Sequence, residues 1–170
     1  AKLESYRVLG DALSRLDTKS SWRLIVIGDG PVRPMVEKAL GPRVVFTGAL
    51  PGTELTSYYA ASDIFVWPSV REAYGMALLE AQAAGLPAIA GDSGGVPDIL
   101  RDGVTGLLCP EGDSPAFAKA MEGLLGDDAR RLDMSREARS VSALDHGFQG
   151  AAATIDSLLH EILRPPGQAE

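Results

Sequence analysis

Arg23-Leu24-Ile25-Val26-Ile27-Gly28-Asp29-Gly30-Pro31 is a continuous apolar run broken by two glycines and a proline. A β-branched run with no polar residue from Leu24 to Ile27 reads as a strand buried on both faces. The Gly-Asp-Gly-Pro that follows reads as a tight turn into a helix. The same unit recurs down the chain. Strands are expected at Val44–Phe46, followed by Gly48, at Ile64–Trp67, ending at Pro68, and at Pro87–Ala90 and Gly106–Cys109. Leu3, Val8, Leu9, Leu13 and Leu16 recur at helical spacing and predict a helix over about residues 4–17. Further helices are predicted at Val32–Leu40, at Glu54–Ala61 with Thr53 as cap, and at Met76–Ala84 closed by Gly85. Val96–Leu100 and Ser114–Leu125 follow, the latter with Asp113 or Ser114 near its cap.

Strands buried on both faces and separated by helices indicate an α/β domain, a doubly wound parallel sheet of Rossmann-like form, over residues 1–126. Residues 127–163 read as C-terminal helices, packed on this domain or toward another one. Arg164-Pro165-Pro166-Gly167 is expected to end order, leaving residues 164–170 as a disordered tail.

The chain has 170 residues, 45% of them hydrophobic and 23% charged, which suits one domain with a sizeable core. Its 16 basic residues are outnumbered by 23 acidic ones, and no basic run exceeds Arg130–Arg131. Nucleic acid and anionic membrane surfaces are therefore not expected partners, since both need clustered Lys and Arg. The single cysteine, Cys109, follows Leu107–Leu108 and reads as a small core residue. With two histidines it leaves too few soft ligands for zinc, and no metal or cofactor is expected. No apolar stretch approaches the roughly 20 residues of a membrane span. Ala1–Tyr6 is charged and leads into a helix, so no signal peptide is read and a reducing cytoplasm is the expected location.

In open parallel sheets, ligands bind beyond the carboxyl ends of the strands. Those ends carry Gly28–Pro31, Gly48, Pro68–Gly75 and Gly91–Gly95. Gly28-Asp29-Gly30 invites a dinucleotide reading, but Arg33 stands where the fingerprint wants its third glycine, and Gly48 where it wants an acid. A tight turn, with Gly30 backbone near a ligand, is the plainer reading. The richest segment runs from Ser69 to Ala81. Glu72 lies in the loop after a strand, and Glu80 lies eight positions on, within the next helix. Gly75 allows close backbone approach, and the N–H groups of Met76 and Ala77 open the helix, an arrangement suited to phosphate. A helical Glu is most often simply solvated. In a helix made apolar by Ala77, Leu78, Ala81, Ala83 and Ala84, a buried carboxylate would need a partner.

The run Glu72-Ala73-Tyr74-Gly75-Met76-Ala77-Leu78-Leu79-Glu80-Ala81 resembles the paired-glutamate signature of the family 4 "group 1" retaining glycosyltransferases of GT-B fold. Ile27–Pro31, Val45–Gly48, Gly94-Gly95-Val96-Pro97-Asp98 and Asp102–Leu108 agree in order and spacing, over about residues 2–163. The resemblance implies the C-terminal, nucleotide-sugar-binding half of such an enzyme. It implies an NDP-hexose donor, UDP- or GDP-linked, and metal-independent transfer with retention. By resemblance Glu72 holds the donor sugar hydroxyls and Glu80 the ribose hydroxyls. Tyr74, Gly75, Met76 and Ala77 hold diphosphate and sugar by their backbone. Gly30 lies near the phosphates, Gly48 and Leu50 flank the base, and Gly94 and Gly95 shape the pocket wall.

Asp98 stands where the family usually has Glu, and Tyr74 where Phe is common. The family's strand bearing a diphosphate-clamping Arg is not in this sequence, and Lys2 is the candidate for its accompanying Lys. The acceptor-binding N-terminal domain is not in it either, so the chain is expected to be a fragment inactive alone. His146 and His160 are assigned structural or surface roles. Phe148, Ile155, Leu158, Leu159 and Ile162 form an apolar stripe that needs a cover, by self-packing or by a homodimer through the C-terminal helices. The full enzyme could also sit peripherally at the inner membrane. Two rival functions remain: a sugar-nucleotide epimerase of the same architecture, and a non-catalytic dimerising module.

Overall fold

The computed structural model describes residues 2–17 and 21–163. The tail expected at 164–170 lies outside them, as do the side chains of Phe148 and Ile162. The chain alternates as α1 (Lys2–Arg15), β1 (Leu24–Ile27), α2 (Arg33–Leu40), β2 (Val44–Gly48), α3 (Gly52–Ala60), β3 (Phe65–Trp67), α4 (Met76–Ala83), β4 (Ala88–Asp92), α5 (Val96–Ile99), β5 (Gly106–Pro110), α6 (Ser114–Leu125), α7 (Asp128–Asp145) and α8 (Phe148–Leu163). None of the described helices is long and apolar enough to cross a membrane.

All strand pairings are parallel, as expected for α/β winding. β4 is central to one set, with Phe65 opposite Ala88 and Trp67 opposite Ala90 on one side, and Ala88 opposite Gly106 through Asp92 opposite Pro110 on the other. Its residues Ala88, Ile89 and Ala90 are fully buried and alternate between two layers. Ile89 joins the core formed by α1, α2 and α6, around Leu9, Leu13, Leu40, Phe117 and Leu124. Ala88 and Ala90 face the opposite cluster of Leu78, Val96, Ile99 and Leu100. Helices therefore cover both faces, which is why these strands read as unbroken apolar runs.

The strands fall into two hydrogen-bonded sets, β1–β2 and β3–β4–β5, rather than one continuous sheet. Between β1 and β3 lies a space of about 1270 Å³, walled by Leu24–Ile27, Phe65–Trp67 and the α1 residues Tyr6, Leu9 and Leu13, the strand edges and core side chains that a strand bonded to both would cover. A sheet is continuous only where some strand bonds to both neighbours, and no described segment bonds to both β1 and β3.

Helix starts follow local chemistry. Asp113 caps α6, its Oδ1 accepting the Ala116 N–H at 2.8 Å, which decides between Asp113 and Ser114. Ser114 instead donates its hydroxyl to Asp11 of α1. The expected Thr53 cap of α3 is corrected: Pro51 is the N-cap, in an extended conformation, and Thr53 lies inside the helix. Proline presets the entry angle, so the helix begins at Gly52, two residues earlier than a Thr53 cap would place it. Replacing Asp113 with Ala should cost about 1 kcal/mol and lower the melting temperature by about 2–4 °C. Thermal unfolding followed by circular dichroism checks this, and an unchanged midpoint would contradict the capping role.

Cys109 is buried, as expected, and its thiol is pushed up to about 11 by burial and by the charges of Asp102 and Asp113. A thiol so held is protonated at neutral pH and unreactive. α7 packs on α4 and α6, whereas α8 packs on α7 and leaves Ile155, Leu158 and Leu159 exposed.

Candidate functional site

The loop from Pro68 to Gly75 carries the chemistry, and its backbone is unusual. Ser69 and Arg71 both hold φ near +53° without being glycine. Each such residue costs on the order of 1 kcal/mol and persists only where its surroundings fix it. Contacts from α1 and from the segments beyond β5 and β4 do so here. The Val70 N–H donates to Ser5 Oγ of α1 at 3.0 Å, and the Arg71 N–H donates to Glu111 Oε1, beyond β5, at 3.2 Å. The Arg71 guanidinium pairs with Glu4. The Glu72 N–H donates to Ser69 O at 3.2 Å and to Ser93 Oγ, beyond β4, at 3.3 Å.

Glu72 is thereby half-buried and held at both oxygens. Its Oε2 accepts the Trp67 indole N–H at 3.0 Å, and its Oε1 accepts the Ala73 N–H at 3.2 Å. A carboxylate offers about four lone-pair sites, so two remain for a ligand's hydroxyls. Gly75 then turns the chain with φ +96° and opens α4 with no side-chain cap. The amides of Met76 and Ala77, in the first turn, have no intrahelical acceptor and stand at the positive end of the helix.

Glu80 follows one turn on. Spacing predicts a carboxylate in an apolar helix, but the helix buries Leu78, Ala81 and Gln82 and leaves Glu80 exposed. Its partner is Tyr59 of α3, whose hydroxyl donates to Oε2 at 3.1 Å. Burial, and next the negative charge of Glu80, hold the Tyr59 phenol well above the ordinary tyrosine value.

Lys2, Leu50, Glu72, Tyr74, Gly75, Met76, Ala77 and Glu80 all border the space between β1 and β3. Gly30, Gly48, Gly94 and Gly95 do not line it. Gly48 sits behind, accepting the Gly28 N–H at 2.8 Å and tying the ends of β1 and β2 together. Gly30 is exposed, its N–H donating to Asp29 Oδ1 at 2.8 Å. Gly94 and Gly95 back the Glu72 loop, the Gly95 N–H donating to Ala73 O at 3.0 Å. Sequence reasoning missed Trp67, Tyr59 and Ser93. The available signal was weak: an aromatic at a strand end and a Tyr58–Tyr59 pair on the preceding helix.

Parallel strands wound with helices on both faces define a Rossmann-like α/β domain, and here a glutamate stands on each side of an uncapped helix start. Comparison with known proteins makes this specific. The family of glycosyl transferases group 1 matches residues 2–127, and the chain belongs to it. A sulfoquinovosyl transferase of Arabidopsis thaliana is 40% identical over 130 residues, covering 74% of this chain and 26% of that protein. Among solved structures, a sucrose-phosphate synthase from Thermosynechococcus elongatus superposes with a TM-score of 0.81 at 26% identity, over 95% of this chain and 43% of that one. The C-terminal domain of a group 1 glycosyl transferase from Francisella tularensis superposes with a TM-score of 0.76 at 25% identity, over 88% of this chain and 83% of that domain. The chain spans between 26% and 38% of the length of the curated relatives it matches. Those relatives carry transferase names, which does not favour the epimerase alternative.

Proposed function

We propose that this chain is the donor-binding part of a longer hexosyltransferase, taking an NDP-hexose, UDP- or GDP-linked, and transferring the sugar with retention. The observation that carries the reading is that Glu72, seated in the loop beyond the carboxyl end of β3, and Glu80, one turn into α4, flank the uncapped start of that helix. The α4 amides with Lys2 receive the diphosphate, Glu72 the sugar hydroxyls, Glu80 the ribose hydroxyls, and the loop at Leu50 the base. An anion there gains from unpaired amides and helix dipole together. Acceptor recognition falls to the rest of that enzyme, so the 170-residue chain alone binds nucleotide without transferring sugar. No step here calls for a metal ion.

Isothermal calorimetry of the chain with UDP and with GDP tests this. Glu80→Ala should weaken the preferred nucleotide by about 10- to 100-fold, the equivalent of a hydrogen bond to a charged group. No binding of either nucleotide at millimolar concentration, or wild-type affinity in Glu80→Ala, would sink the donor-site reading. The anomeric configuration of the product of the longer enzyme, read by proton NMR, tests retention separately.

A further inference from the structure

Tyr59 belongs to none of the segments that carry the family resemblance, yet its side chain meets the site. Its hydroxyl lies 3.1 Å from Glu80 Oε2 and 3.5 Å from the Ala77 carbonyl. One O–H makes one strong bond, and the nearer, charged oxygen takes it. Burial and the adjacent carboxylate keep the phenol protonated, so the donor is permanent. The ring is half-buried and leans on Phe65 of β3 at a centroid distance of 6.3 Å. Among the described residues, Tyr59 is the one group that bonds the Glu80 carboxylate. Tyr59, Ala77 and Glu80 line the same space.

An exposed Glu on a helix otherwise samples several rotamers, and a ligand would have to order it on binding. Fixing one carboxylate oxygen beforehand removes part of that entropic cost and leaves the second oxygen for a ligand hydroxyl. We propose that Tyr59 is a positioning residue: it presets Glu80 against the ribose diol and so sets the preference for ribonucleotides over 2′-deoxyribonucleotides. The proposal rests on the reading of Glu80 as the ribose-binding carboxylate.

The test is calorimetry of the chain and its Tyr59→Phe variant with UDP and 2′-deoxy-UDP, and with GDP and 2′-deoxy-GDP. Phenylalanine keeps the ring on Phe65 and removes the hydroxyl alone. Tyr59→Phe should weaken the ribonucleotide about three- to tenfold and leave the deoxy analogue nearly unchanged, so that their ratio narrows. Glu80→Ala should abolish the ratio. Equal weakening of both ligands in Tyr59→Phe would mark a purely structural role and overturn the proposal. An unchanged ratio in Tyr59→Phe, with the ratio lost in Glu80→Ala, would overturn it while sparing the Glu80 reading. A ratio that survives Glu80→Ala would overturn that reading, and the proposal with it.

Discussion

Replacing Glu72 with Gln in the longer enzyme should lower sugar transfer by about 10²–10³-fold, the usual loss when one polar group aimed at the reacting centre is removed. The geometry explains why so conservative a change is severe. Both Glu72 oxygens already accept from fixed donors, the Trp67 indole N–H at 3.0 Å and the Ala73 N–H at 3.2 Å. A glutamine offers one acceptor oxygen and one NH₂. Whichever way it is turned, the NH₂ meets an N–H, and one donor–donor clash remains. The side chain must then leave its seat, and the sugar hydroxyls lose their acceptors. On the chain alone, the free nucleoside diphosphate should bind as before, because its proposed contacts lie at α4 and Glu80. The added affinity of the sugar nucleotide over the free diphosphate should vanish. Transfer within threefold of wild type, or a parallel loss of diphosphate binding, would remove Glu72 from the sugar site.

Gly94→Ala should be nearly as damaging, although Gly94 does not line the space between β1 and β3. Its φ is +56°, and a Cβ there would stand 1.9 Å from the Glu72 carbonyl oxygen and 3.2 Å from that of Ala73. Those atoms are backbone and cannot rotate aside, so the Glu72 loop must move by more than an ångström to restore contact distance. A displacement of that size at a reacting centre costs on the order of 10²-fold in rate. The loop's positive-φ residues, Ser69 and Arg71, leave it little freedom to comply, so stability should fall too, by about 1–3 kcal/mol. Gly103→Ala separates the causes. Gly103 also has a positive φ, +72°, but a Cβ there meets nothing within 4 Å. It should lower the melting temperature by about 2–4 °C, for roughly 1 kcal/mol of strain, and spare transfer. Equal loss of transfer in both variants would show that strain, not collision with the Glu72 loop, governs the effect.

Much of the local structure was legible. The apolar run Leu24–Ile27 forms the expected strand but is not covered on both faces, its Ile25 being exposed, whereas Pro87–Ala90 yields the strand buried on both faces, and Ser114–Leu125 forms a helix behind the aspartate that caps it. The E-A-Y-G-M-A-L-L-E run placed both glutamates correctly relative to the start of α4, because loop and helix follow from glycine and from spacing. Thr53 misled, since a hydroxyl near a helix start looks like a cap whether or not a proline two residues earlier has already begun the turn. The surroundings of Glu80 were misjudged for a related reason: an apolar composition does not say which face of the helix a single residue occupies.

The sequence by itself determined the order of strands and helices, the wound α/β class and the two carboxylates with their helix start. Each of these depends on residues within a turn or two of one another. Only the tertiary structure decided which strands bond to which, β1 with β2 and β4 with both β3 and β5. It also decided that Trp67 and Ser93 seat Glu72 and that Tyr59 holds Glu80. Ser93 reaches Glu72, and Tyr59 reaches Glu80, across 21 positions of chain, while Trp67 comes off a strand end. Such contacts exist only once β3, α3, α4 and the end of β4 have packed, because they are set by which elements meet and not by any local preference.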